Sequence, residues 1–202
     1  MPERKRQRLK KDDLFATALR IVDKEGLEAL TMRRLGAELG VEAASLYHHV
    51  PNKDALLDGV LAKMRTEIRV PDPIPSDWKE LMAEIFDEYG RVLAAHPNLV
   101  SLAGRRVETD PDSGLVFLTQ LGFSDDDAVE LWQSMIAWTV GFALFSSAYA
   151  VSDTWDLPSE LAERMTQWRD ETRSKTLRTI IKAYDESRTV NPAPGDGASR
   201  TT

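Results

Sequence analysis

Apolar residues recur at helical spacing along almost the whole chain. Residues 10–25 form the first such segment, which Gly26 ends and whose apolar face carries Leu14, Ala18, Ile21 and Val22. Segments that alternate strictly between apolar and polar residues are missing, and Val, Ile and Thr do not cluster between turn signals. The sequence therefore predicts an all-α fold.

Glycine, proline and capping residues divide this pattern into separate helices. Thr31 is a natural N-cap for the second helix, Asn52 for the fourth, and Ser124 with Asp127 for a long later one. The last helical region slips in register near its middle, which leaves open whether it is one helix or two. After the first helix, the predicted helices cover residues 31–39, 42–49, 53–69, 78–96, 99–103, 110–122, 124–151 and 157–188.

The net charge of -7, from 26 basic and 33 acidic residues, hides an asymmetry. Residues 1–53 contain 11 Lys and Arg against 8 Asp and Glu, whereas residues 54–202 contain 15 against 25. The first part is therefore basic, at +3, and the rest is acidic, at -10. A basic head on an acidic body is typical of a protein in which one part binds nucleic acid, although a solubility arm explains the charge equally well.

Several classes of protein are disfavoured by what the sequence lacks. There is no cysteine, which excludes disulfides and thiolate metal sites. No apolar run reaches the roughly 18 residues of a membrane span, and the basic N-terminus lacks the apolar stretch of a signal peptide. We therefore expect a cytoplasmic protein without a membrane partner. Phosphate loops and nucleophile elbows are missing, and neither His48–His49 nor Asp125–Asp127 is a convincing metal site.

The first three helices have the proportions of a helix-turn-helix. Gly40 can adopt the left-handed conformation that a tight corner between the second and third helices needs. The third helix presents small or hydrogen-bonding side chains, which would let its backbone approach base edges in a major groove. Lys53 begins the fourth helix, where a cation and a helix N-terminus together favour a phosphate. Arg33 and Arg34 oppose the dipole at the start of the second helix, which indicates another purpose for them.

This part of the chain resembles the head of the tetracycline-repressor (TetR) family of transcriptional regulators. The resemblance covers about residues 9–60 and rests on the segments 31–35, 40–41, 45–47, 49–50 and 52–57. It implies a DNA-binding head with contacts from the second and third helices and a phosphate contact from the start of the fourth. The predicted DNA-binding residues are Thr31, Arg33, Arg34, Ala43, Ala44, Ser45, Tyr47, His48, His49 and Lys53.

The chain departs from the tetracycline repressors in both parts. Ala43 stands where they often have a glutamine, and an alanine cannot make a bidentate contact to adenine. In the body, two histidines and several amides are missing at the positions that hold tetracycline and its magnesium. Those positions are occupied by Arg69, Ile85, Tyr89, Ala103, Arg106 and Gly114. We therefore expect neither the tetracycline operator nor tetracycline, and no magnesium or other cofactor.

By the same resemblance, the body binds a small ligand and forms a dimer. Residues 132–147 are apolar almost all round the helix and must be buried on several sides. A second subunit on one side is favoured over a monomer core, because palindromic operators need a two-fold dimer. His96, just before Pro97, is expected to be a helix C-terminal cap. Candidate pocket residues, for each of which plain core packing is the alternative, are Met64, Met82, Phe86, Tyr89, Leu102, Phe117, Trp138 and Thr139.

These observations predict four parts in the chain. They are a disordered basic arm (1–8), a helix-turn-helix DNA-binding domain (9–55), a ligand-binding and dimerisation domain (56–188) and a disordered tail (189–202). The favoured function is a ligand-responsive transcriptional regulator, in its simplest form a homodimeric repressor that a small apolar or aromatic ligand releases from a palindromic operator in double-stranded DNA. The alternatives are an all-helical enzyme and a protein-interaction module without DNA binding.

Overall fold

The computed structural model describes residues 9–104, 113–151 and 159–187. Within these ranges the chain forms α-helices, two short 3-10 helices and turns, without a strand, so the all-α prediction is confirmed. Three predicted features lie outside the described residues, namely the basic arm at 1–8, the helix start at 110–112 and the tail at 189–202.

The N-terminal third of the chain contains four helices. They are α1 (Lys11–Glu25), α2 (Met32–Leu39), α3 (Ala43–Leu46) and α4 (Lys53–Arg65). The predicted caps are present. The Thr31 hydroxyl accepts a hydrogen bond from the Arg34 backbone N–H, and the Asn52 side chain accepts one from the first turn of α4. Gly40 follows α2 in the left-handed conformation, at φ 67°, as the corner to α3 requires.

The helix α3 is one turn long, and the prediction of a helix over residues 42–49 was wrong in length. Residues 47–49 continue as tight turns, in which the His49 N–H donates to the Leu46 carbonyl at 2.9 Å. The bonds from His48 to Ser45 and from His49 to Leu46 join residues three apart, as in a 3-10 turn, and Pro51 then keeps Val50 out of helical conformation. The short α3 therefore presents its side chains from one helical turn and the turns that follow.

Gly36 sets the distance between α2 and α3. A Cβ atom at this position would lie 2.8 Å from the Val41 carbonyl oxygen and 3.2 Å from the Ala43 backbone nitrogen. The Val41 N–H donates to the Gly36 carbonyl at 2.9 Å across the same contact. Both neighbours are backbone atoms and cannot swing aside, so a side chain here must push α3 away from α2.

The rest of the chain forms the body, with four further helices in the described residues. They are α5 (Trp78–Ala95), α6 (Ser113–Gln120), α7 (Asp125–Val151) and α8 (Ser159–Ser187). Asp77 caps α5 by accepting from the Lys79 N–H at 2.9 Å. The predicted capping box at α7 is present, because Asp127 N–H donates to the Ser124 hydroxyl and that hydroxyl donates to the Asp127 carboxylate.

Three further boundaries differ from the prediction or resolve it. α8 is one continuous helix of 29 residues, so the open choice between one helix and two is settled. The short helix expected at 99–103 is a 3-10 helix, Pro97–Leu102, which we call the connector. α4 ends at Arg65 instead of residue 69, because the Thr66 hydroxyl donates back to the Lys63 carbonyl at 2.7 Å and competes with the helical backbone bonds.

The helix α5 lies at the centre of the body, between α7 and α8, and the connector brings the end of α5 against α1. Phe86 of α5 packs edge-on against Trp132 of α7, with the ring centroids 5.2 Å apart. α7 is long and apolar enough from Asp125 to Ser147 to cross a membrane, but its length and composition also suit a central helix of a bundle. Its contacts with α5, α6, α8 and the connector match the second description.

Replacing Gly36 with alanine should destabilise the head, because the added methyl group meets the backbone of residues 41 and 43. Overpacking of this kind costs about 1–3 kcal/mol. Urea unfolding would measure the loss. Gly104→Ala is the control, since its Cβ atom enters open space. Equal stability of the two variants would contradict the close contact.

Candidate functional site

The predicted DNA-facing surface is built around α3. Leu46 is completely buried and fixes which side of the helix faces the core. Ala44, Tyr47 and His48 are exposed on the opposite side, with 52% of the Tyr47 surface accessible. The edges of this surface are formed by the half-buried residues Ala43, Ser45 and His49. Small side chains at the middle and a tyrosine at one end suit close approach to a groove.

Two exposed cations flank this surface. Arg33 lies on α2, and Lys53 is the first residue of α4. The first turn of α4 has backbone N–H groups without helical partners, of which Asn52 satisfies one. A phosphate at this helix end would meet both the N–H groups and the Lys53 ammonium group.

Arg34 is engaged inside the protein, unlike its neighbour Arg33. Its guanidinium donates to Glu25 at 2.7 and 3.2 Å and to Glu38 at 2.6 Å. The hydrogen bonds with Arg34 lower the pKa of both carboxylates, and the bond from Glu25 is the main reason why the pKa of Arg34 is raised. This brace ties the end of α1 to the start of α2, so the two helices move together.

A buried histidine joins the head to the body. The His96 imidazole, 7% exposed, lies 2.8 Å through Nδ1 from a carboxylate oxygen of Asp23 in α1. Its Nε2 atom lies 3.1 Å from a carboxylate oxygen of Glu67, in the turn after α4. Ionised carboxylates only accept hydrogen bonds, so both ring nitrogens must donate and His96 is held as an imidazolium. We call this triad of Asp23, His96 and Glu67 the clamp.

The pKa of His96 is shifted by opposing effects. Burial disfavours the charged ring and lowers the pKa, but the hydrogen bonds and negative charges of Asp23 and Glu67 outweigh burial. The net result is a pKa raised above the ordinary value of 6.5. His96 occupies the expected C-cap position of α5, but its side chain does more than cap the helix. Its ion pairs bridge three elements of the chain.

The connector reinforces the clamp from the next turn. The Asn98 side-chain amide donates to the Val22 carbonyl at 2.9 Å and to the Asp23 carbonyl at 3.3 Å. These carbonyls lie in the last turn of α1, where the Val22 carbonyl also accepts from the Gly26 N–H at 2.9 Å. His96 and Asn98 therefore hold the same end of α1. His96 binds the Asp23 carboxylate, and Asn98 binds two backbone carbonyls.

The body contains two cavities that concern a ligand. The larger, of about 330 Å³, lies between α5, the connector, α7 and α8. The smaller, of about 80 Å³, lies between α4, α5 and α7 and is lined by Arg65, Ile85, Phe86, Tyr89, Trp132 and Ile136. Only the larger has the size of an ordinary small-molecule site.

The predicted pocket residues separate into three groups. Thr139 lines the larger cavity, and Phe86 and Tyr89 line the smaller one. Met64 and Met82 belong to the closed core. The partly buried residues that pack against this core are Leu102, Phe117 and Trp138. The Trp138 indole N–H donates to the Arg173 carbonyl at 3.3 Å.

Sequence reasoning missed residues that the structure brings into these places. Arg173 lines the larger cavity from α8, and Asp23 and Asn98 hold the head to the body. Arg173 looks like one charge among many in a polar helix. Asp23 lies 73 residues before its partner His96. Nothing in the linear sequence connects positions so far apart. The clearest signal in the sequence is His96, because a histidine beside a proline at a helix end can pair with carboxylates from other parts of the chain.

Several large apolar side chains of α7 are partly exposed in the part of the chain that the structure describes. Leu144 and Phe145 are each 43% exposed, and Val129 is 44% exposed. Large apolar side chains exposed along one helix are typical of an interface with another protein chain. A second copy of this chain is the simplest partner for these side chains.

Comparison with known proteins supplies the family. Residues 14–60 match the model for bacterial regulatory proteins of the tetR family, and residues 70–187 match the tetracyclin repressor-like C-terminal domain. The chain belongs to the tetR family. Among its relatives, the class A tetracycline repressor of transposon 1721 from Escherichia coli is 30% identical over 89% of this chain and 83% of its own length.

Two solved structures are similar over almost their full length. ActR of Streptomyces coelicolor, in complex with actinorhodin, is 29% identical and has a TM-score of 0.71, with 89% of this chain and 98% of ActR covered. A TetR variant from Acinetobacter baumannii AYE, in complex with minocycline, is 25% identical and has a TM-score of 0.75, with 95% and 100% covered. The predicted helix-turn-helix head on a helical body is confirmed by these structures.

Family membership decides between the three functions that the sequence left open. Proteins of the tetR family bind operator DNA and small-molecule effectors and form dimers, and this chain is a DNA-binding, ligand-responsive transcriptional regulator of that kind. This confirms the regulator over the interaction module, and the family is one of regulators rather than of enzymes.

The clamp should make stability depend on pH. Because the pKa of folded His96 is raised, its contribution is fully present below the unfolded value of about 6.5 and is lost as the pH rises through the folded value. The free energy of unfolding, measured between pH 6 and 9, should fall in the wild type relative to His96→Gln. His48→Gln is the control, since this histidine is exposed and its loss should leave the profile unchanged. A wild-type profile that matches His96→Gln would argue against the imidazolium clamp.

Proposed function

We propose that the protein is a cytoplasmic homodimeric repressor that a small-molecule effector releases from a palindromic operator. The observation that carries this proposal is the clamp, because it connects the DNA-binding head directly to the segment beside the ligand cavity. Relatives in complex with actinorhodin and with minocycline support a small-molecule effector.

In this proposal the exposed surface of α3 enters a major groove of the operator. Tyr47 and the small residues beside it contact base edges or phosphates, and Arg33 and Lys53 hold phosphates on either side. Arg34, which is also predicted to contact DNA, has a further part. It braces α1 against α2 through Glu25 and Glu38. The basic residues before position 9 add phosphate or minor-groove contacts.

The dimer gives the operator its symmetry. Two heads related by a two-fold axis read half-sites about one helical turn apart, roughly 34–36 Å, or a multiple of this distance. The exposed apolar side of α7, with Leu144 and Phe145, supplies the self-complementary surface that a two-fold dimer needs. The effector then acts by favouring a body conformation in which the two heads no longer match this spacing.

Tyr47→Ala and Lys53→Ala should each weaken binding to duplex DNA selected by the wild-type protein from a random pool. Loss of one phosphate contact at Lys53 should also reduce the salt dependence of binding by about one ion. Fluorescence anisotropy at several salt concentrations measures both effects. Lys182→Ala removes the same charge from an exposed position on α8 and should change neither affinity nor slope. Unchanged DNA binding in both head variants would contradict the assigned surface.

Leu144→Glu should convert the dimer into a monomer, because it places a carboxylate in the apolar side of α7. Analytical ultracentrifugation measures the change, and circular dichroism checks that the helices remain. Glu130→Gln, an exposed change on the same helix, is the control. A variant that stays dimeric would place the interface elsewhere.

A further inference from the structure

The larger cavity holds polar groups whose hydrogen bonds are unmade. Thr139 of α7 is completely buried, and its hydroxyl has no hydrogen-bond partner among the described residues. The Ser146 hydroxyl and the Arg173 Nε atom are also inaccessible and without a hydrogen-bond partner there, although Nε faces Asp87 Oδ1 at 3.5 Å. A buried polar group without a partner costs about 1–3 kcal/mol. Three of them around one cavity indicate that an occupant with polar atoms completes the site.

Arg173 supplies a positive charge to this cavity. Its nearest carboxylate is Asp87, with Nε 3.5 Å from Oδ1. Asp87 is shared, because its other oxygen accepts from Ser174 at 2.6 Å and from Arg178 at 3.3 Å. The guanidinium fork of Arg173 is therefore only loosely paired, and its remaining N–H groups are suited to a planar anion.

Gly90 allows the guanidinium to take this position. A Cβ atom on Gly90 would lie 3.0–3.2 Å from the Cδ, Nε and Nη1 atoms of Arg173. Without it, the Arg173 side chain lies against the backbone of α5, at the wall of the cavity. The other lining residues are mostly apolar and include Leu93, Val100 and Phe142. The cavity thus combines one cation with an apolar lining that is suited to an aromatic ring.

We infer that this cavity is the effector site and that its effector is an aromatic compound carrying one anionic group, a carboxylate or a phenolate, held by Arg173 and Thr139. The volume of about 330 Å³ suits two or three fused rings. This inference rests on the proposed function and names the chemistry of its effector. It differs from the aromatic pocket residues expected from the sequence, since Phe86 and Tyr89 line the other cavity.

The position of the cavity explains how its occupant would reach the head. Pro97 and Val100 of the connector line it, and His96 and Asn98 alternate with them along the same segment. Those two residues hold α1. An occupant that displaces the connector must therefore strain the clamp, and the head is the part that responds.

The test compares two probes that differ in charge. A hydroxynaphthoate and the matching hydroxynaphthamide have the same rings, but only the first carries a carboxylate. Isothermal titration calorimetry of the full chain should show that the naphthoate binds at least tenfold more tightly, the scale of one charge-assisted hydrogen bond. Arg173→Gln should remove this preference, Arg173→Lys should keep part of it, and Thr139→Val should weaken the binding of both probes.

The control is Arg65→Gln, which removes an arginine from the smaller cavity and should leave both affinities unchanged. Thermal unfolding of each variant checks that the fold is intact. Three results would overturn the inference: no binding of the naphthoate, equal binding of the two probes, or loss of the preference in Arg65→Gln but not in Arg173→Gln. DNA release is measured separately. Naphthoate binding that leaves the DNA complex intact would contradict the proposed release while the anion site stands.

Discussion

The architecture of this regulator depends on one buried histidine that pairs with two more exposed carboxylates and joins the two halves of the chain. Asp23 belongs to the head, His96 to the end of a body helix and Glu67 to the turn that joins them. A charged ring with low exposure is stable only while both carboxylates surround it. The clamp therefore holds in one relative position of the head and body. A departure from that position leaves a charge unpaired and therefore costs free energy.

The rest of the body is arranged around the segment that carries this histidine. α5 ends at the clamp, and the connector continues along the wall of the larger cavity. α8 reaches the same cavity through Arg173 and then continues to Asp185, which accepts from Lys79 at the start of α5. The cavity, the clamp and the helices α5 and α8 are thus connected through residues that contact one another. A ligand that enters the cavity touches the elements on which the head position depends.

The head could be predicted in more detail than the body, for a physical reason. Its helices are short, and their ends are set by neighbours in sequence such as Thr31, Gly40 and Asn52. The body is held by contacts between residues far apart in the chain. Asp87 and Ser174 are separated by 87 positions in the chain, and no pattern in the sequence indicates their hydrogen bond. The end of α3 at Leu46 could not be inferred in the same way, because Pro51 directly restricts only Val50.

The brace of Arg34 with Glu25 and Glu38 has a consequence for how the regulator switches. It joins the end of α1 to α2, and Gly36 packs α2 directly against α3. When α1 is displaced, the whole reading surface travels with it and keeps its shape. Each subunit would still recognise an isolated half-site in both states. The effector changes the spacing between two intact DNA-binding heads. Release from the operator then depends on the spacing of the half-sites and not on their base sequence.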